Sequence, residues 1–455
     1  MIPVFTWSPD DEAPWAPGGA SRWWLHQSLT ALDASLRDRG SRLIVRQGSA
    51  VRELLSVARA VGATHVVWAQ RYEPIVIAGD AKIEAALVKA GLGVVRTPGN
   101  LLFEPDDVRT QAGQPFQVFT PFWKACQALP AVAPAHPAPR TIRAPAQWPR
   151  SAAIADLALE STVDWTGGLA STWKPGEAGA RAALKTFMRG AMGEYREGRD
   201  HPAQQGTSGL SPHLRFGEIS PRQVWHAVRE AMYGPAGAKK LKHGAETSAQ
   251  EFLRQVGWRE FAHHLLHHFP DTPERPLRET FAKFPWRRDA KALRAWQRGV
   301  TGYPIVDAGM RELWHTGWMH NRVRMVAGSF LVKHLLIPWQ EGAEWFWDTL
   351  VDADLANNTL GWQWIAGCGA DAAPYFRIFN PVLQGEKFDA DGAYVRRWVP
   401  ELSRLPNHLI HKPWTATPIE LAAASVSLGE TYPNPIVDHD AARERALAAY
   451  ATLKA

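Results

Sequence analysis

Several short stretches carry side chains that could do chemistry. In "QVGWREF" (Gln255–Phe261), Gln255, Trp258 and Arg259 stand at i, i+3 and i+4 and share one helix face. An amide, an indole and a guanidinium side by side can stack on a nucleobase and hold a phosphate. A core Trp258 with an internally bonded Arg259 is the ordinary alternative. "GTSGLSPHLRFGEIS" (Gly206–Ser220) puts the hydroxyls of Thr207, Ser208 and Ser211 on a loop that enters a helix through Pro212. Loop hydroxyls and backbone N–H groups at a helix start suit a phosphate; helix capping uses the same residue types. "GWMHNRVRM" (Gly317–Met325) offers Asn321, Arg322 and Arg324, with Met325 one turn beyond Asn321. The acidic "DAD" (Asp352–Asp354) follows some thirty residues later. A buried Arg–Asp pair is expensive unless it serves a purpose, although many are structural.

Two further features stand out. "NNTLGWQW" (Asn357–Trp364) packs three side-chain amides and two indoles into eight residues, in a chain with 22 tryptophans. An indole is large and its N–H wants a partner when buried. "AHHLLHHFP" (Ala262–Pro270) holds His263, His264, His267 and His268, some at i,i+4 spacing. No carboxylate or cysteine sits in step with them, so packing or surface histidines are expected, and no metal site. The sequence contains no GxGxxG or GxxxxGK[ST] phosphate loop, no HExxH and no CxxC pair.

The elements that must position these residues fall into two parts. Through residue 127 the pattern alternates strand and helix. "IPVFTW" is a short apolar run, Ser21–Gly40 an amphipathic helix with Ser21 as N-cap, "RLIVRQG" a strand, Ala50–Ala63 a helix, "HVVWAQ" a strand. Asp80–Gly99 gives a helix and then a strand. Such alternation predicts a doubly wound parallel sheet. Residues 128–175 read as a linker, proline-rich at its start and semi-rigid. From 176 to 455 the pattern is helical, with clear signals such as Ser220, Pro221 and Gly234 around one helix. The fold class is therefore an α/β N-terminal domain followed by a large all-α domain.

Composition bounds the reading. At 455 residues, two to three domains are expected. A hydrophobic fraction of 45% supports a real core and excludes a disordered chain. The net charge of +6 permits a polyanionic partner without requiring one. The two cysteines, Cys126 and Cys368, argue against a disulfide framework or a zinc site and fit a reducing compartment. No run of 18 apolar residues and no signal-peptide pattern is present, so a cytoplasmic protein is expected.

Taken in order, the blocks "EYREGRD", "GTSGLSPHLRFGEIS", "GWREF", "TGYPIVDAGMRELWHTGWMHNRVRM", "DADLANNTLGWQW" and "DAAPYFRIFNPVLQGEKFD" resemble the DNA photolyase/cryptochrome flavoproteins over almost the whole chain. The resemblance implies FAD held in the helical domain, with Tyr195, Thr207, Ser208, Leu210 and Ser211 near its phosphates. Arg324 and Asp352 would be the charged pair beside the flavin ring, Asp354 its hydrogen-bond partner, and Asn358 the amide facing the reactive flavin nitrogen. Trp362, Trp339 ("IPWQEG") and Trp286 ("FPWRRD") look like the family's tryptophan electron-transfer chain. Trp258 and Trp364 would flank a flipped-out lesion, with Gln255, Arg259, Asn321, Arg322 and Met325 around it. Trp296, Trp314, Trp345 and Trp347 are assigned to the core.

The activity so implied is blue-light repair of cyclobutane pyrimidine dimers in DNA, by a monomer, with reduced FAD and a second antenna chromophore of unassigned identity. "RYEPIVIAGD" lacks the polar pair tied to folate binding. Family members that repair (6-4) products carry histidines at the positions of Asn321 and Met325. Gln255 departs from the pattern, since cyclobutane-dimer enzymes usually have Glu there. A cryptochrome-like photoreceptor without repair activity is the alternative. The chain also opens on what resembles the family's second strand, which leads to the expectation of a missing central strand, exposed neighbouring edges and a destabilised N-terminal domain.

Overall fold

The computed structural model describes residues 1–130, 132–234, 241, 243–372 and 376–453. Ala373, Pro374 and Tyr375 of the last quoted block lie outside the described residues.

The first part alternates as its sequence predicts: β1 (Val4–Trp7), α1 (Gly19–Arg37), β2 (Ile44–Gln47), α2 (Ala50–Val61), β3 (His65–Ala69), α3 (Pro74–Lys89), β4 (Gly93–Thr97) and α4 (Phe119–Ala128). β1 pairs parallel with β2, from Val4↔Ile44 to Trp7↔Gln47. β3 pairs parallel with β4, from His65↔Gly93 to Ala69↔Thr97. Among the described residues no ladder joins β1 to β3, so the parallel strands form two separate pairs. Val67 and Val95, cross-strand partners in the second pair, are 59% and 43% exposed.

Two helix starts differ from expectation, each for a reason outside the local sequence or at its edge. α1 begins after Gly18, not at Ser21. Asp348 caps it instead: its Oδ1 accepts from Gly19 N at 2.7 Å. A Cβ at Gly18 would lie 2.4 Å from Asp348 Cα, so this close approach demands glycine. Ser21 is buried within the helix and donates to Leu350 O at 3.4 Å. α3 starts at Pro74, ahead of the expected Asp80, because proline is pre-set for the first helical turn.

The second part is helical. Pro221–Tyr233 carries a capping box between Ser220 and Gln223. His243–His268 is the longest helix among the described residues. Pro304–Thr316 starts on its proline and stops at Gly317, which takes φ +66°. Asn321–Ser329, Trp339–Thr349 and Leu355–Ala366 follow, and the last is capped by Asp354 and closed by Gly367. One apolar core lies around these last four helices and contains Trp296, Trp339, Trp347 and Trp362. A second joins α4 to helix 221–233 and helix 243–268, and Leu360 touches both cores.

The expectation of a core Trp314 is corrected. This ring is 55% exposed and stacks between Trp165 and Trp345 at centroid distances of 6.1 and 6.0 Å. No helix among the described residues is long and apolar enough to cross a membrane.

Candidate functional site

The loop before helix 355–366 gathers polar groups from far along the chain. Arg324, on helix 321–329, donates through Nε to Met319 O at 2.7 Å and through Nη2 to Asp352 Oδ1 and Oδ2 at 3.1 and 2.9 Å. Asp352 is buried, and Arg324 keeps 22% of its side chain exposed. Two residues on, Asp354 Oδ1 accepts from Asn357 N at 2.9 Å and from Asn357 Nδ2 at 2.7 Å. Its Oδ2 lies 3.5 Å from His263 Nε2. Burial works to raise the Asp354 carboxyl, but His263, with Arg215 and Arg259 beyond it, holds it well below the ordinary carboxylate range.

One turn into helix 355–366, Asn358 donates from Nδ2 to Ala343 O at 2.9 Å, which fixes its amide against helix 339–349. Trp362, one turn further, is buried and meets Phe346 and Trp296 edge-on at 5.0 and 6.2 Å. Gly342 makes room for that indole: a Cβ there would lie 2.1 Å from the ring. Trp339 is buried in the same core, and the half-buried Trp286 packs on it through Phe284, ring centroids 4.4 Å apart.

The 206–211 loop is held close. Gly206 abuts Gly198, where a Cβ would come 2.2 Å from the carbonyl O. Ser208 Oγ accepts from Leu210 N at 3.3 Å, an ST-turn that directs the chain into helix Ser211–Arg215. Leu210 is buried; Thr207 and Ser208 are half-buried and Ser211 is exposed. Arg215 ties this helix to the acidic loop through Nε to Ala353 O at 2.8 Å. Tyr195 lies in the neighbouring turn, its ring edge-on to Phe187 and Phe252 at 5.6 and 5.3 Å, and burial pushes its phenol up to about 12.

The residues expected around a lesion separate. Gln255 donates from Nε2 to Glu251 Oε1 at 3.0 Å, and Glu251 also pairs with Arg199 at 2.7 Å. Trp258 lies flat on Phe119, centroids 3.8 Å apart. Trp364 is half-buried and donates from Nε1 to Asp371 O at 3.2 Å. Helices 243–268 and 355–366 pack side by side. Asn321 is exposed, with Nδ2 3.9 Å from Met325 Sδ. Arg322 pairs with Asp200 at 2.7 Å and lies over the Phe388 ring.

Arg259 is a correction. Its guanidinium is buried and forks onto Asn100, Nη1 to the carbonyl O and Nη2 to Oδ1, both at 2.6 Å. It cannot serve a DNA phosphate from there, because its helix face is covered by the 100–103 segment rather than by solvent. The adjacent Glu260 accepts from Leu102 N at 2.7 Å and Phe103 N at 3.1 Å. Together they join helix 243–268 to the first part of the chain.

Burial pushes the Glu260 carboxyl up to about 7, against the pull of Arg259 and the two amide donors. Folding therefore raises this pKa above its unfolded value of about 4.3. Between the two values the folded state holds a proton that the unfolded chain has released, so stability falls as pH rises through this window, by on the order of 3 kcal/mol. Glu260→Gln should remove that slope. Urea unfolding of both proteins at the two ends of the window checks it, and an unchanged slope would refute the assignment.

Sequence reading missed Arg215, Asn100, Asp200, Gly342 and His320, and left His263 among the packing or surface histidines. All but His320 meet their partners across long chain separations, and no local pattern marks them. His320 caps helix 321–329 through its side chain, and its buried Nε2 has no partner among the described residues. That orphaned nitrogen, the Arg324–Asp352 pair and the fixed Asn358 amide are polar groups that the helical part of the chain holds away from bulk solvent. Such a donor set fits a flavin with its charged diphosphate tail.

The family models agree. "FAD binding domain of DNA photolyase" matches residues 252–452, and "DNA photolyase" matches residues 1–141. A deoxyribodipyrimidine photo-lyase of Agrobacterium fabrum is 51% identical over 96% of this chain and 90% of that protein. Cryptochrome-1 of Arabidopsis thaliana is 42% identical over 98% of this chain and 65% of its own length. A crystal structure of a bacterial class III photolyase from Agrobacterium tumefaciens superposes with a TM-score of 0.94 at 49% identity, covering 100% of this chain and 92% of that one. With its FAD-binding domain and its strand–helix N-terminal part, the chain belongs to the DNA photolyase/cryptochrome family.

Proposed function

We propose that the protein repairs cyclobutane pyrimidine dimers in DNA under blue light. The observation that carries this reading is the Asn321–Met325 pair, an amide and a thioether in contact on helix 321–329, where (6-4) repair enzymes carry two histidines. FAD, when bound in its reduced form, would supply the light-driven one-electron chemistry that opens the cyclobutane ring.

The chain's residues then have separate tasks. Thr207, Ser208, Leu210, Ser211 and Tyr195 hold the cofactor's phosphate end; Arg324, Asp352, Asp354 and Asn358 hold its ring. Trp258 and Trp364 wall the extruded lesion with apolar rings. Gln255 both donates and accepts toward the thymine edges, and Asn321, Met325 and Arg322 line the same side. Trp286, Trp339 and Trp362 relay an electron inward when the cofactor arrives oxidised. The division into residues 1–127, a 128–175 linker and 176–455 belongs to this reading. So do a monomer, a cytoplasmic location and a second chromophore, for which the cleft lined by Trp15, Arg71, Glu73 and Trp347 offers aromatic and charged walls.

The test is an oligonucleotide with a single thymine dimer, incubated with flavin-loaded, pre-reduced protein in blue light and in darkness. Light-dependent loss of the dimer is expected; its absence with flavin bound would overturn the reading. Gln255 favours a second reading, a cryptochrome-like photoreceptor, because the amide lacks the negative charge of the usual glutamate. Glu restored at position 255 (Gln255→Glu) would then yield repair only from a disabled enzyme.

Trp362→Phe gives a further expected outcome. Light-driven reduction of the oxidised protein should be lost, while repair by chemically pre-reduced protein persists. Absorption changes during illumination separate the two. Loss of repair in the pre-reduced variant would instead assign Trp362 a purely structural role.

A further inference from the structure

Helix 243–268 ends on His267 and His268, and the tertiary structure brings them the carboxylate that their own neighbourhood lacks. Asp106, in the turn Pro105–Asp107, places Oδ2 3.2 Å from His267 Nε2, across 161 residues of chain. One ligand atom each from Asp106, His267 and His268 lie within 4.8 Å of one another. We propose that these three side chains form a binding site for one divalent transition-metal ion of the zinc type, clipping the turn 105–107 to the end of helix 243–268.

The geometry suits such an ion. Two donors each about 2.1 Å from a tetrahedral ion are about 3.4 Å apart, so the Asp106 and His267 atoms already stand at ligand spacing. His268 Nε2 lies 3.2 Å from Pro105 O. A ring N–H held by a backbone carbonyl fixes the tautomer and leaves the other nitrogen as the available ligand atom. His267 offers Nε2, the nitrogen that faces Asp106, as its ligand atom. Arg109 Nη2 holds Asp106 Oδ1 at 2.7 Å and leaves Oδ2 on the His267 side, where the ion would take the place of the His267–Asp106 hydrogen bond.

The ligand set selects the metal class. Two imidazoles and one carboxylate suit Zn²⁺, Ni²⁺ or Cu²⁺, whereas Ca²⁺ and Mg²⁺ require mostly oxygen donors. The positive charge of Arg109 works against any cation, so only an ion with strong affinity for imidazole is held. Asp106 is exposed and both histidines are half-buried, so the ion reaches the site from solvent and water completes its shell.

The experiment uses the full chain with flavin bound, stripped by chelator and titrated with Zn²⁺, and with Co²⁺ as a spectroscopic probe. A single ion per chain is expected, with a visible Co²⁺ band that Zn²⁺ displaces. The melting temperature should rise by a few degrees at saturating Zn²⁺, because the ion binds only the folded chain. His267→Gln and Asp106→Asn should each weaken binding at least about tenfold and lose the thermal shift. His408→Gln, at an exposed histidine elsewhere, should keep both. His268→Gln replaces any variant that fails to retain flavin. No binding to the wild-type chain, or equal binding by the ligand variants, would overturn the proposal.

Discussion

Arg259→Ala is expected to destabilise the protein by about 3 kcal/mol while leaving the salt dependence of its DNA binding unchanged. The guanidinium makes two 2.6 Å hydrogen bonds to Asn100 and stands 3.6 Å from the buried Glu260. Removing one partner of a buried charged network strands the rest, which costs about 3–5 kcal/mol. Asn100 O and Oδ1 would lose both donors, and Glu260 would lose the cation that opposes its burial, so its carboxyl would rise further. Urea unfolding measures the first effect. The second separates two roles for the same residue, since a guanidinium neutralising one phosphate contributes a slope of about −0.9 to the logarithmic salt dependence. A shallower salt slope with intact stability would return Arg259 to the DNA surface.

Asp352→Ala is expected to be as damaging, and to act at the proposed cofactor site. Arg324 Nη2 meets both carboxylate oxygens of Asp352. Without them the guanidinium would keep Met319 O as its one hydrogen-bond acceptor among the described residues. The loss should reach about 3 kcal/mol, and bound flavin should fall sharply in the purified protein. Asp352→Asn keeps an acceptor in place and should retain more flavin than the alanine variant. Visible absorption per mole of protein, with denaturant unfolding of each variant, decides the matter. Full flavin content in Asp352→Ala would show that the pair is structural alone.

Much of this molecule is legible in its sequence, because many of its determinants are local. Strand–helix alternation sets the parallel pairs β1–β2 and β3–β4. Ser220 with Gln223, Pro304 with Gly317, and Asp354 with Gly367 each start or stop a helix through groups a few residues away. The i,i+4 contact of Asn321 and Met325 is fixed as soon as helix 321–329 exists. The ordered motif blocks carry the family, and with it the expectation of FAD.

Other features were decided only in three dimensions. Helical spacing puts Gln255, Trp258 and Arg259 on one face, but it cannot say what covers that face. Asn100 takes Arg259 and Phe119 takes Trp258. Asp348 moves the start of α1 by acting as a cap from 329 residues further along the chain. Trp314 has a core residue's composition and stands on the surface between two other indoles. His267 and His268 find Asp106 only because α4 and the 100–107 segment fold against helix 243–268. The sequence by itself thus determined the elements, the family and the residue types available for chemistry. The partner of each buried charge and exposed ring was set by tertiary packing, because a side chain's direction within its face depends on whichever distant backbone satisfies its hydrogen bonds.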